Sequence, residues 1–180
     1  MIMQKLELTH PEIKIQNIVC TADLKQKIDI ESFNEYEFLS SNLKLYHCGY
    51  VKDNSMKGKV SVFKSGKMIS IGTKNPDDAK KELRKVSRIL QKHKFSKPVK
   101  IYPQVRNIVA GFNLNRKLPI EKLARTFPRC MYEPDQFPAL IYRIQNSCTS
   151  LIFSSGKGII VGAKSLEEIN FAFFEIKSRI

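Results

Sequence analysis

The chain predicts an α+β fold of two quasi-identical repeats, an antiparallel sheet with helices packed on one side. Three observations predict it. Val60 to Lys74, VSVFKSGKMISIGTK, returns ninety positions later as Ser150 to Lys164, SLIFSSGKGIIVGAK, with Phe63/Phe153, Ser65/Ser155, Gly66/Gly156, Lys67/Lys157, Ile69/Ile159, Gly72/Gly162 and Lys74/Lys164 identical. Self-similarity at a fixed offset is the mark of a repeated structural unit. Each copy is apolar and β-branched, then Ser-Gly-Lys, then apolar and β-branched again, which reads as two strands joined by a tight turn. Each copy is followed by an amphipathic helix with its own start signals.

The elements follow in order. Met1 to Glu12 is short and without period, and reads as a poorly ordered lead-in. Ile13 to Ala22, IKIQNIVCTA, is a strand, and Pro103 to Phe112, PQVRNIVAGF, is its counterpart. Helices are expected at Ile28 to Leu39 and Leu118 to Phe127, opened by Asp29 and Pro119. Leu45 to Lys52 and Phe137 to Ile144 are strand-like, and the repeated hairpin comes next. The long helix after the first hairpin takes Asn75 as N-cap and Pro76 at its first position, with Asp77 and Asp78 beside the positive end of the dipole. In the second copy Ser165 and Glu168 have capping-box spacing. Ala79, Leu83, Val86 and Leu90 form one apolar stripe and Ile169, Phe173, Ile176 and Ile180 repeat it. Each unit is then strand, helix, three strands, long helix, with the first repeat at 13–97 and the second at 98–180.

The totals bound the chemistry. At 180 residues and 42% hydrophobic the chain can bury one body made of two halves. Net charge is +14, and residues 1–97 carry 19 basic against 11 acidic side chains while 98–180 carry 12 against 6. A basic excess shared by both halves fits a polyanionic partner. Gly66-Lys67 and Gly156-Lys157 lack the Ser or Thr and the preceding glycine of a phosphate-cradling loop. Cys20, Cys48, Cys130 and Cys148 have no C-x-x-C spacing and His10, His47 and His93 are scattered, so no zinc site, disulfide framework or cofactor is indicated. Reduced thiols in an intracellular protein are expected, with no signal-peptide pattern at the start and no apolar run of membrane-spanning length. The acidic residues are dispersed or used as caps, which opposes an enzyme.

The hairpin strands are apolar on both faces, yet two helices per unit can cover only one. An apolar sheet face left open, carrying Phe63 and Phe153 in a basic protein of two like halves, calls for an elongated, negatively charged partner of matching symmetry. Duplex DNA fits, its minor groove taking apolar wedges while Asn bonds the base edges and Lys or Arg holds the phosphates. A sheet that stacks RNA bases on aromatics stays open on composition alone.

With N-I-V at Asn17 and Asn107, F-x-S-G-K at Phe63 and Phe153, G-[TA]-K at Gly72 and Gly162, and YEPDQFPALIYR at Tyr132 to Arg143, nearly the whole chain from Ile13 onward resembles the TATA-box-binding protein family. That family is itself the standard illustration of a sheet that reads the minor groove and kinks DNA. The resemblance implies one saddle-shaped antiparallel sheet with helices on the convex face, and a general transcription initiation factor that binds A·T-rich promoter DNA and recruits transcription factor IIB and RNA polymerase. It implies DNA wedges at Tyr46, Phe63, Phe137 and Phe153, and a base-edge and groove floor of Asn17, Val19, Ile69, Ile71, Asn107, Val109, Leu151, Ile159 and Val161. Phosphates would fall to Ser65, Lys67, Lys74, Arg143, Ser155, Lys157 and Lys164. Glu133 and Asp135, in the loop before Phe137, resemble the acidic stirrup offered to transcription factor IIB. The basic ridge of Lys81, Arg84, Lys85, Arg88 and Lys92 resembles the surface where transcription factor IIA and other regulators dock. A nucleus is expected from YEPDQFPALIYR, with an archaeal cytoplasm or nucleoid, or a viral factory, as alternatives. Pairing of two copies without DNA is a further expectation.

The chain departs from that pattern in places. Ile71 and Val161 stand where the family carries threonine beside the glycine, Tyr46 replaces a phenylalanine wedge, and Ser61 stands at an apolar floor position. These departures keep a second reading open, a divergent scaffold that works mainly through protein contacts.

Overall fold

In a computed structural model, residues 10–37, 39–41, 47–144 and 148–180 are described. The chain forms two compact units, Asn17–Arg106 and Met1–Gln16 with Asn107–Ile180. Each is an α+β unit whose open sheet is antiparallel throughout.

In the unit Asn17–Arg106 the strands are β1 (Ile13–Asp23, from Asn17 onward), β2 (Leu39–Ser41), β3 (Cys48–Val51), β4 (Lys59–Phe63) and β5 (Lys67–Thr73), in the order β2-β3-β4-β5-β1. Helix α1 (Pro76–Lys92) lies against β4 and β5. In the other unit β6 (Gln104–Asn113, from Asn107 onward), β7 (Cys130–Glu133), β8 (Phe137–Arg143), β9 (Thr149–Phe153) and β10 (Lys157–Ala163) run in the order β6-β10-β9-β8-β7. Helix α2 (Ile120–Thr126) packs on β7 and β8, and α3 (Leu166–Lys177) on β10.

The ninety-residue offset holds down to single hydrogen bonds. Gly66 N–H donates to the Phe63 carbonyl at 2.8 Å and Gly156 N–H to Phe153 at 2.9 Å, closing the two hairpin turns. Ile28 N–H donates to Lys64 O at 3.0 Å, and Leu118 N–H to Ser154 O at 2.8 Å. The expected apolar stripes are the core: Ala79, Leu83, Val86 and Leu90, and likewise Ile169, Phe173 and Ile176, are fully buried, while Ile180 is half-buried. Each large aliphatic or aromatic side chain so buried contributes about 1.5–3 kcal/mol.

The long helices start as their residues dictate. Asn75 accepts the Asp77 N–H at 2.8 Å with Pro76 next in line, and Ser165 Oγ accepts the Glu168 N–H at 3.2 Å. The reciprocal half of the capping box is shifted by one residue, since Glu168 Oε2 takes the N–H of Lys164 at 2.7 Å.

The helix expected at Ile28 to Leu39 is instead one 3₁₀ segment, Glu31–Glu35, followed by β2. Asp29 Oδ1 and Oδ2 hold Glu31 N–H at 3.0 Å and Ser32 Oγ at 2.9 Å, which caps a turn, and Phe33 drops into the core. Asn34 then accepts from Ser41 N–H at 2.7 Å and donates to Ser41 O at 3.1 Å, drawing the chain back as a strand. Among the described residues, four strands follow the first helical segment of each unit where three were expected; β2 and β7 are the additions.

Candidate functional site

Alternation along the strands separates two faces. In β1, Ile18, Cys20 and Ala22 are buried toward the helix side while Asn17, Val19 and Thr21 are partly exposed. Ser61 and Phe63 of β4 and Ile69 and Ile71 of β5 share that open side. The other unit repeats the pattern with Asn107, Val109 and Gly111, Leu151 and Phe153, and Ile159 and Val161. Each unit thus leaves one apolar sheet face unburied, as expected from the both-sided apolar strands.

A bulge sits in the middle of each face. Opposite β1 the register moves from Cys20↔Ser70 to Ile18↔Thr73, and opposite β6 from Ala110↔Ile160 to Ile108↔Ala163, so β5 and β10 each carry an extra residue. Gly72 and Gly162 occupy the bulges at φ +92° and +94°, a region that costs any side chain strain. Their backbone N–H groups donate to Asn17 Oδ1 and Asn107 Oδ1, both at 2.8 Å. A backbone donor requires the carbonyl oxygen of the amide, so the NH₂ of each asparagine is the end left for a ligand.

Aromatic side chains stand toward the end of each face. Phe137 is 40% exposed and its ring lies 6.2 Å from that of Phe153 at 68°. Phe63 is partly exposed beside a depression of about 800 Å³ lined also by Thr21, Ile69, Lys67 and Arg106. Phe153 borders its counterpart of about 640 Å³ with Gln16, Gly111, Lys157 and Ile159. Tyr46, expected as the partner of Phe63, lies outside the described residues. Ser65, Lys67, Lys74, Arg143, Ser155, Lys157 and Lys164 are all exposed, and their cationic groups form no ion pair among the described residues.

Alternation also reveals residues the sequence reading passed over. Thr21 continues the Asn17, Val19 parity, and its Oγ1 accepts from Arg106 Nε at 3.0 Å. Arg106 and Gln16 each precede an N-I-V element, so the ninety-residue offset pointed to both.

The expected partner surfaces are partly rearranged. Glu133 ends β7 and pairs with Phe137, so only Pro134 to Gln136 form the turn before Phe137, with Asp135 exposed on it. On α1, Arg84, Arg88 and Lys92 are exposed, but Lys85 is drawn to Asp53 Oδ2 at 2.5 Å and to Ser55 Oγ. The Lys85 ammonium, helped by Ser55, holds the Asp53 carboxyl down at about 2. Lys57 sits 2.6 Å from Asp78, which pushes its ammonium above the usual lysine range.

The family model described as transcription factor TFIID, or TATA-binding protein, matches residues 12–93 and 102–180. A TATA-box-binding protein of Cenarchaeum symbiosum is 34% identical over 169 residues, covering 93% of each chain. One from Pyrodictium occultum is 36% identical over 180 residues, covering 94% of this chain and 86% of its own. The solved structure of Methanococcus jannaschii TBP superposes with a TM-score of 0.80 at 28% identity, covering 94% of this chain and 98% of that one. These relatives are archaeal, and they lend no support to the nucleus expected from the sequence.

Proposed function

This chain belongs to the TATA-binding protein family, and from that membership we propose that it is a general transcription initiation factor that binds TATA-type promoter DNA in the minor groove and kinks it. The family is one of DNA-binding transcription factors, not of enzymes.

The observation that carries the reading is the pair of asparagines whose Oδ1 atoms are tied to the bulge amides. Their free NH₂ groups are donors aimed at the open face, where A·T and T·A pairs present only the acceptors A N3 and T O2. Guanine would set its N2 amino group against these donors and against Val19, Val109, Ile69, Ile159, Leu151, Ile71 and Val161, none of which can accept its hydrogen bond. A buried donor left unpaired costs about 1–3 kcal/mol. Phe63, Phe137 and Phe153 are the proposed wedges between base steps, and the exposed lysines and Arg143 the proposed phosphate contacts. Ile71 and Val161 replace hydroxyl contacts with apolar ones and leave the A·T preference to the asparagines and the floor.

Glu133 and Asp135 are the proposed contact for transcription factor IIB. Arg84, Arg88 and Lys92, with Lys85 behind them, are the proposed surface for transcription factor IIA and other regulators, and RNA polymerase follows through these factors. Two copies meeting through their open faces without DNA remain part of the proposal. An archaeal cytoplasm or nucleoid is the location that the relatives support. The test is binding and end-to-end fluorescence transfer on a labelled TATA duplex against a G·C-rich duplex at one salt concentration. Tight, bend-producing binding to the TATA duplex alone is expected; equal, unbent binding to both would return the protein to the scaffold reading.

A further inference from the structure

The two asparagine bulges are alike on the open face and different beneath it. In the unit Asn17–Arg106 the carboxylate of Glu82, on α1 and 7% exposed, accepts the N–H of Lys57 at 2.8 Å and of Gly58 at 2.9 Å through Oε1. Its Oε2 accepts the Ser70 hydroxyl at 3.4 Å. Gly58 in turn lies so close under the bulge that a Cβ on it would collide with the Ile71 carbonyl oxygen, and a Cβ on Gly72 would stand 3.3 Å from Gly58 Cα. The chain of contacts runs from Glu82 to the Gly58 backbone, to Ile71 and Gly72, and through the Gly72 N–H to Asn17. Ninety residues on, the positions of Glu82, Gly58, Ser70 and Thr73 are taken by Ala172, Cys148, Ile160 and Ala163, none of which carries a carboxylate.

A buried carboxylate is costly unless fully bonded, and this one accepts the backbone amides of Lys57 and Gly58, whereas Asp78 and Lys85 of the same helix hold only side chains of that loop. We infer that Glu82 is a positioning residue for Asn17: it clamps the Lys57–Gly58 segment under the Gly72 bulge and so sets the angle at which the Asn17 amide meets its ligand. The Asn107 bulge does not depend on such a clamp. The inference rests on the DNA reading for its functional consequence and on geometry for the clamp itself.

The experiment uses the full chain with Glu82→Ala, which installs the residue of the other repeat, and Glu82→Gln, which keeps an acceptor for the two amides. Hydrogen exchange is followed at the Gly72 and Gly162 amides, together with affinity for TATA and G·C-rich duplexes. In Glu82→Ala the Gly72 amide exchanges about tenfold faster while Gly162 is unchanged, which also certifies the fold. The TATA to G·C affinity ratio falls by about tenfold toward that of Asn17→Ala, and Glu82→Gln restores most of both. Unchanged Gly72 exchange, or an unchanged ratio in Glu82→Ala while Asn17→Ala loses it, overturns the inference alone. No TATA preference in the unsubstituted protein overturns the DNA reading itself, and with it the consequence drawn here.

Discussion

Asn17 takes the backbone N–H of Gly72 on its Oδ1 at 2.8 Å, and that bond turns a flexible amide into a fixed donor. The bond exists because Gly72 bulges out of β5 at φ +92°. Gly72→Ala forces a side chain into that region and toward Gly58 Cα at 3.3 Å. The expected loss is about 1–3 kcal/mol, read as a lower denaturant midpoint. A midpoint equal to that of the unsubstituted protein would show that the bulge tolerates a side chain.

Phe153 is proposed as a wedge and carries no charge. Phe153→Ala should reduce end-to-end transfer on a TATA duplex more than it reduces affinity for random-sequence DNA. Proportionate loss of both would assign Phe153 to general packing.

If the exposed lysines hold phosphates as proposed, binding should be salt-dependent. Log K should fall by about 0.9 for each phosphate neutralised per unit of log salt, and Lys157→Ala should flatten the slope by about one contact. A slope that is flat in the unsubstituted protein would contradict phosphate anchoring.

The Lys85–Asp53 pair at 2.5 Å predicts a pH response. Asp53 is held down at about 2, below the ~3.9 of an unfolded aspartate, so its contribution to stability is present above that value and is lost as pH falls toward 2. Carbon chemical shifts of Asp53 should titrate near 2, and in Lys85→Met they should move up toward ~3.9. An unshifted titration in Lys85→Met would remove Lys85 as the cause.

Much of this was legible in the residues because it is local. The hairpins, the Asn75 and Ser165 caps, the apolar stripes of α1 and α3, and the asparagines ninety apart are all set by residue type and spacing within a few positions. What could not be read is non-local. Leu39–Ser41 and Cys130–Glu133 are short and become strands only by pairing with β3 and β8. Lys85 has the helical spacing of an exposed ridge, and only the fold brings Asp53 to it. Glu82 looks like any charged helix residue until Lys57 and Gly58 arrive with their amides. Gly72 and Gly162 stood out as repeated glycines, yet their bulges arise from register against β1 and β6.

Minor-groove reading by the open sheet faces is the proposal on which the others depend. The most direct measurement is affinity for three duplexes of equal length at one salt concentration: a TATA element, the same element with its A·T pairs replaced by inosine·cytosine, and the same with G·C. Inosine·cytosine keeps the minor-groove acceptors and lacks the guanine amino group, while its major groove is that of G·C. The inosine duplex should bind within about threefold of TATA, and the G·C duplex should be weaker by at least about tenfold. Inosine binding as weak as G·C would contradict minor-groove reading.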